Sequence, residues 1–410
     1  MWRASVNRRK RHCMVVHANY PVGETRVQRQ SLALVDAGFD VDVICLRGDD
    51  EPKRETVEGV NVRRLPIDRH RGSGMVSQLL EYLVFFAIVL VLFSSRHLYR
   101  RYDSVQVHNL PDFLVFSVVA AKLTRTPVIL DLHDLMPEFM AHRIDADLGH
   151  PIVRLVALQE RLACGFADVV ITVTDEWGDV LRSRGVAGDK IHVVMNVADS
   201  RLFHRRADEA IEDHPYTVIY HGTFTHRYGV DLLLQAMDEL RVEIPDLRLV
   251  LLGDGEARDE LIELADALGV SDRVEFSEGT IEASALPDRI RAADVGVVPN
   301  RSNVFTEGIL PTKLLEYVAV GVPAVVAETG GVRRYFEPGM VEFFAPDDPT
   351  DLARALKRLH DDPDRRAELV ANSNAFNDSY PWSRIAAEYV DLISNAGPGS
   401  RVTGSSPTSA

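Results

Sequence analysis

The sequence predicts an α/β protein made of two doubly wound, mostly parallel sheets, and three observations carry that reading. Short apolar, β-branched runs alternate with amphipathic helical segments along most of the chain. The alternation stops over residues 203–215, FHRRADEAIEDHP, which are polar and aperiodic, and restarts at Thr217. Residues 294–327, DVGVVPNRSNVFTEGILPTKLLEYVAVGVPAVVA, read as strand, loop, helix, turn and strand. Such a loop places free amide groups and the positive end of a helix at the carboxyl edge of a strand, where an anion binds. With 410 residues, 46% hydrophobic and 26% charged, the chain suffices for two domains.

In the first half a strand at residues 12–16 runs into the loop Tyr20–Gly23, then a helix over Thr25–Ala37, a stop at Gly38 and a strand at Asp40–Leu46. A charged connection, residues 48–74, contains a short strand near Val60–Leu65. Strands follow at Ser104–Val107, Pro127–Leu130, Val169–Thr174 and Ile191–Met195, with helices through Leu123, over Ile152–Phe166 and over Asp175–Arg184. In the second half, strands at Thr217–Tyr220, Arg248–Leu252 and Val274–Phe276 alternate with helices at Gly229–Val242, Arg258–Leu268 and Leu286–Ala292. Helices near Pro349–His360, Arg365–Ala375 and residues 382–394 close the chain. The tail from Asn395, rich in Gly, Ser, Pro and Thr, is expected to be disordered. The domains are therefore residues 1–205 and 206–381, with helix 382–394 returning to the first and 395–410 as tail.

A formal charge of −15 disfavours a nucleic-acid partner. The charge is uneven: residues 1–101 hold 17 Lys/Arg against 11 Asp/Glu, a balance of +6. Cys13, Cys45 and Cys164 have neither metal-ligand nor CxxC spacing and read as reduced core residues of a cytoplasmic protein. No export signal is evident, because Cys13–Val16 is shorter than the ~7–15 apolar residues such a segment needs. The apolar run Leu83–Phe93, LVFFAIVLVLF, falls short of the ~18–20 residues that span a bilayer. Two readings stay open for it, a buried core helix or a half-exposed helix at a membrane. The second is helped by Arg96, Arg100 and Arg101 after the run and Arg69 and Arg71 before it.

The residues of the 294–327 stretch suit a nucleoside diphosphate. Thr312 can cap the helix, Lys313 adds a point charge, and Glu316 falls one turn further on, where a carboxylate can take two ribose hydroxyls. A solvated Glu and Lys on an amphipathic helix would give the same pattern.

Several segments, in order, resemble the family 4 retaining glycosyltransferases of the GT-B fold over nearly the whole chain. They are VVHANYPVGETRVQRQ, LVDAGFDVDVICLRG, VHNLPD, ILDLHDLMPE and IHVVMNVADSRLF, then YHGTFTHRYGVDLLLQA, LVLLGDGEARDELIELADALGV, LPTKLLEYVAVGVPAVVA and PWSRIAAEYVDLI. The resemblance implies two Rossmann-like domains facing across a cleft, with a nucleotide-sugar donor held by the second. Glu316 matches the glutamate on the nucleotide ribose. The backbone of Gly308, Ile309, Leu310, Pro311 and Thr312, with Lys313, matches the loop at the diphosphate. Gly23 matches the first-domain loop that closes over the phosphates, Gly222 and Thr223 fall on a donor-binding loop, Gly253 and Gly255 lie near the base, and His133 matches the histidine beside the donor sugar.

Two departures stand out. Where the family carries an Arg after the loop glycine and a Lys before the helix glycine, this chain has Thr223 and Tyr228. Arg227 is therefore expected to neutralise phosphate. The family's first loop glutamate would fall at Gly308, whereas the acid here is Glu307, so either Glu307 reaches the sugar hydroxyls or the amides of Gly308–Leu310 take that work. Asp40-Val-Asp42 and Asp145-Ala-Asp147 are poorly placed as metal motifs, so no metal or other cofactor is expected. The function implied is metal-independent, retaining sugar transfer to an acceptor hydroxyl; the apolar Leu83–Phe93 helix with its flanking arginines points to a saccharide or lipid-linked acceptor at the cytoplasmic face of a membrane. A nucleotide-sugar epimerase, a phosphorylase and a non-catalytic donor-binding homologue are the rival readings.

Overall fold

The computed structural model describes residues 8–22, 24–67, 74–205, 214–279 and 281–397. Gly23, Arg69, Arg71 and the tail from residue 398 lie outside the described residues. Two compact units form: the first runs to Met195 and takes the chain back from Ser383, and the second is Asn196–Trp382. The second unit begins at Asn196 rather than at residue 206. Residues 203–205 belong to it because Phe203 is buried, the His204 carbonyl accepts from Arg291, and Arg205 donates to the Val370 carbonyl.

In the first unit, strands β1 (Arg11–Asn19), β2 (Asp40–Leu46), β3 (Arg54–Val57), β4 (Val60–Leu65), β5 (Ser104–His108), β6 (Val128–Leu132), β7 (Val169–Thr172) and β8 (Ile191–Val193) form one sheet. Its order is β3-β4-β2-β1-β5-β6-β7-β8, and only the β3–β4 pairing is antiparallel. Strand β3 has no apolar alternation and departs from the sequence expectation; it pairs with β4 across the tight turn at Glu58-Gly59, both residues having positive φ. The second unit holds β9 (Thr217–His221), β10 (Arg248–Leu252), β11 (Val274–Phe276), β12 (Val295–Val298), β13 (Ala324–Ala327) and β14 (Glu342–Phe344), ordered β11-β10-β9-β12-β13-β14 and parallel throughout. In both sheets the central strands are buried on both faces, as helices on either side require. The three cysteines are free and buried.

Five helices position the functional residues and the outer apolar face: α1 (Thr25–Asp36), α2 (Met75–Arg100), α3 (Pro151–Phe166), α4 (Thr312–Val320) and α5 (Trp382–Asn395). Helix α2 overturns the expectation of a short segment. It runs for 26 residues and is long and apolar enough to cross a membrane, yet only 22% of its most apolar 18-residue stretch is buried. It touches the unit along one fourth-residue stripe, Glu81, Phe85, Val89, Phe93 and His97. Glu81 lies 3.1 Å from His17 Nε2, and Phe85 meets the same imidazole edge-on. The opposite side, including Val76, Leu83, Val84, Ile88 and Val91, faces outward.

Helix α5 belongs to the first unit because its buried Tyr389 hydroxyl donates to Gln106 Oε1 on β5 at 2.7 Å. Removing the hydroxyl leaves a buried acceptor without its partner. Tyr389→Phe is therefore expected to lower the unfolding free energy of the first unit by ~1–2 kcal/mol, read from urea denaturation followed by circular dichroism.

Candidate active site

In the second unit the site is assembled from loops that leave the carboxyl ends of neighbouring strands. The loop after β9 (Gly222 onward) and the loop after β10 (Gly253-Asp-Gly255) lie against each other. A Cβ on Gly253 would meet the Gly222 carbonyl oxygen at 1.9 Å, and one on Gly255 would meet the Phe224 carbonyl oxygen at 2.3 Å. Both glycines have φ near +150°, so no other residue fits there without moving the partner loop. The amides of Gly222 and Phe224 donate to the carbonyls of Leu252 and Asp254 and lock the pair.

Helix α4 is pinned beneath these loops. Tyr317 is fully buried, its ring lies where a Cβ on Gly296 would sit, and its hydroxyl donates to the Ile219 carbonyl at 3.3 Å. The first turn of α4 is thereby brought under Gly222. Contrary to expectation, Thr312 does not cap this helix. It is the first helical residue, and the cap position is Pro311, which offers no side-chain acceptor. The amino end of α4 thus carries its positive field without a side-chain cap.

Lys313, one residue further in, is buried. Its ammonium lies 4.6 Å from the ring centroid of Tyr220 and 4.3 Å from that of Tyr228, and it donates to the Tyr220 hydroxyl at 3.3 Å. The Arg227 guanidinium stacks on Tyr228 at 5.2 Å and on Phe305 at 5.7 Å. Tyr228 thus stands between two cations, where the resemblance would put a lysine. Burial first, and then Arg227, pull the Lys313 pKa down to about 7, against the opposing pull of Glu316. Glu316 Oε2 lies 3.3 Å from Nε2 of buried His221, whose pKa is lowered to about 3 by burial and then by Lys313. The imidazole is therefore neutral beside the carboxylate. Thr223 is exposed, and its carbonyl accepts from the Tyr220 hydroxyl at 2.9 Å.

Glu307 is tied up within its own loop. One oxygen accepts from the Ser302 hydroxyl at 2.7 Å and the other from the Gly330 amide at 3.0 Å. Behind it, a Cβ on Gly331 would lie 2.6 Å from the Ile309 carbonyl oxygen, so Gly308 and Ile309 rest on the Gly330-Gly331 turn. Sequence reasoning misses that turn; the adjacent glycines in ETGGV are its signal.

His133 belongs to the first unit and follows β6. Its amide donates to Asn109 Oδ1 at 2.7 Å, and its Nε2 lies 3.0 Å from Nδ1 of His108 at the end of β5. Burial drives the His108 pKa far down, overcoming the pull of Asp131, so this ring is neutral. Its Nε2 is buried without a partner, which fits a proton on Nδ1 donated to His133. His133 Nδ1 then faces Glu24 Oε1 at 3.8 Å.

Beneath the histidines, the Asp131 carboxylate accepts from Arg26 at 2.9 Å and from Gln30 and Gln106 at 2.9 Å each. Burial would raise its pKa, but the Arg26 guanidinium above all holds it well below the usual carboxylate range. Arg26 and Gln30 sit one turn apart on α1, a spacing visible in TRVQRQ. The donor atoms of His108, Asp131 and His133 lie within 4.8 Å of one another, close enough to hold a metal ion. They fit one poorly, because the Asp131 oxygens are already taken and the Arg26 guanidinium opposes a second cation. Asp40 and Asp42 are held by Arg100 and Arg96, and Asp147 by the Gly149 amide.

Comparison with known proteins gives the family. The profile described as Glycosyl transferases group 1 matches residues 203–376, and that described as Glycosyl transferase 4-like domain matches residues 23–197. The chain belongs to the group 1 glycosyltransferases. A D-inositol 3-phosphate glycosyltransferase of Thermomonospora curvata is 26% identical over 390 residues, 88% of each chain. The alpha-D-kanosaminyltransferase of Streptomyces kanamyceticus is 29% identical over 225 residues, 52% of this chain and 56% of that one. Among solved structures, a sucrose-phosphate synthase of Thermosynechococcus elongatus superposes with a TM-score of 0.77 at 22% identity, covering 94% of this chain and 98% of that one. The Anabaena protein HepE, solved with UDP-glucose, superposes at 0.70 and 17% identity over 94% and 99%. The fold is GT-B.

Lys313 makes a direct test of the transferase's site. A buried ammonium without its anion destabilises the free protein. Lys313→Met is therefore expected to melt a few degrees higher than the parent, read by differential scanning calorimetry.

Proposed function

We propose that this transferase moves a sugar from a nucleoside diphosphate sugar to an acceptor hydroxyl with retention of anomeric configuration and without a metal. The observation that carries this is the grouping of Lys313, Arg227 and the uncapped start of α4 around Gly222, with Glu316 one turn on. Two cations and a helix end supply the charge stabilisation a departing diphosphate needs. Glu316 takes the ribose hydroxyls, and the amides of Gly308–Leu310 serve the sugar in place of Glu307. As the C1–O bond to phosphate breaks, the acceptor oxygen bonds to C1 from the same face and its proton passes to the leaving phosphate. His133, oriented by His108, serves the reacting sugar. The nucleotide sugar bound to HepE is of the donor class proposed here.

The acceptor side is read from α2 and α3. Both helices turn apolar side chains outward, including Val84 and Val91 on α2 and Leu155, Leu158 and Leu162 on α3. Their only carboxylates, Glu81 and Glu160, are buried, whereas Arg154 and Arg161 of α3 are exposed. An apolar face with cations and no exposed acid complements an anionic bilayer surface. We therefore assign this face to peripheral contact with the cytoplasmic leaflet and the reaction to polysaccharide or glycolipid assembly.

The donor assignment is tested by melting the protein with a panel of nucleoside diphosphates and their sugars, without metal. One nucleotide is expected to give ~2.7 kcal/mol of stabilisation at a hundredfold excess over its dissociation constant, and Glu316→Ala to abolish it. No response to any of them would sink the assignment. Because Lys313 is lowered to about 7 in the free protein and must be charged to meet a diphosphate, binding takes up a proton above that pH. The dissociation constant should rise as pH rises above 7, by up to about tenfold per pH unit, with calorimetry in buffers of different ionisation heat as the check. For the bilayer contact, Leu83→Gln with Val91→Gln should cut flotation with anionic vesicles while leaving nucleotide stabilisation intact; unchanged flotation would overturn it.

A further inference from the structure

Toward the amino ends of β2 and β4, away from the strand ends that carry the histidines, the first unit has a polar cavity of about 360 Å³. Its lining includes Asp42, Asn61 and four arginines: Arg54 on β3, Arg63 on β4, and Arg96 and Arg100 in the last turns of α2. Asp42 is fully engaged. It accepts from Arg96, from Arg100 at 3.2 Å, from the Tyr102 hydroxyl and from Asn61 at 3.1 Å. The other lining carboxylate, Glu55, pairs with Arg64 at 2.8 Å. Arg54 and Arg63 are left with no ion-pair partner among the described residues. They also stand directly opposite each other in the antiparallel β3–β4 register, where like charges repel. Burial, then Arg96 and Arg54, lower the Arg63 pKa, so this guanidinium is held against an unfavourable surrounding.

A pair of facing guanidiniums beside an open cavity, backed by two more arginines, is a fork for tetrahedral oxyanions. We propose that this pocket is a binding site for a phosphate-bearing anion, separate from the donor site. The anion bridges Arg54 and Arg63 and relieves their repulsion. Arg96 and Arg100, fixed by Asp42 and Asp40, set the back wall. Such a phosphate has two sources, a free phosphorylated molecule or the headgroup of an anionic lipid. The second source is suggested by the place of the pocket at the end of the outward-facing apolar helix α2.

The test compares the parent with R54Q/R63Q on two probes: inorganic phosphate or glycerol phosphate in solution, followed by melting, and phosphatidylglycerol–phosphatidylcholine vesicles, followed by flotation. If the source is free phosphate, the soluble probes stabilise the parent, and the double variant needs about tenfold more for the same shift, as loss of charge-assisted hydrogen bonds predicts. If it is a lipid headgroup, only vesicles bind, and the double variant loses their anionic-lipid dependence. In both cases the nucleoside diphosphate response stays at the parent's value, which separates this pocket from the donor site. In the absence of phosphate the double variant should melt no lower than the parent, since it removes a repulsion. Thr56→Glu, which sets a carboxylate in the same lining on an exposed strand, is the second variant should the first not fold, and it should block binding. Absence of binding to both probes, or binding unchanged in the variants, overturns the proposal.

Discussion

The first unit is built around one buried charge. The Asp131 carboxylate lies at the end of a central strand, out of contact with solvent, and is stable there only because Arg26 and Gln30 reach it from α1 and Gln106 from β5. Gln106 is in turn held by Tyr389 of α5, and Arg26 donates to the Val194 carbonyl beyond β8. Four separate stretches of chain are thus fixed by the need to compensate a single anion. A buried pair of this kind contributes little net energy over an apolar equivalent, but breaking it leaves an uncompensated charge, so it enforces one arrangement. The His108–His133 pair rests directly on that arrangement.

The second unit uses a different constraint, close approach of backbone to backbone. Where the loops after β9 and β10 cross, there is no room for a side chain, and the carbonyls of Gly222 and Phe224 occupy the space a Cβ would need. Rigid loops over a rigid helix start let two cations be held close together in advance of any anion. The aromatic faces of Tyr220, Tyr228 and Phe305 make this tolerable by offering electron-rich surfaces in place of water.

Much of this is legible from residue order. The alternation of strands and helices predicts both sheets, and Lys313 can be placed on the first turn of a helix, with Glu316 one turn on, from LPTKLLEY alone. What stays hidden has physical reasons. Strand β3 is a charged edge with no inward face, so periodicity is silent on it. The apolar run understates the length of α2 because Ser77, Gln78, Glu81 and the arginines at its end break the run without breaking the helix. Thr312 reads as a cap because its hydroxyl suits that position, whereas the fixed φ of Pro311 moves the boundary back by one residue. Polar residues such as Arg26, Gln30 and Gln106 read as surface until the fold shows them converging on Asp131. Glu307 looks like a ligand for sugar, and only the turn at Gly330-Gly331 reveals the loop it holds shut.

The return of the chain to its first unit has a consequence for synthesis. The second unit is one continuous segment and can close as soon as it leaves the ribosome, whereas the first waits for the last helix. Until Tyr389 emerges, the Gln106 Oε1 that it caps lacks its hydroxyl donor. A chain interrupted between Trp382 and Tyr389 would therefore keep a continuous second unit and leave the first without the helix that seals it.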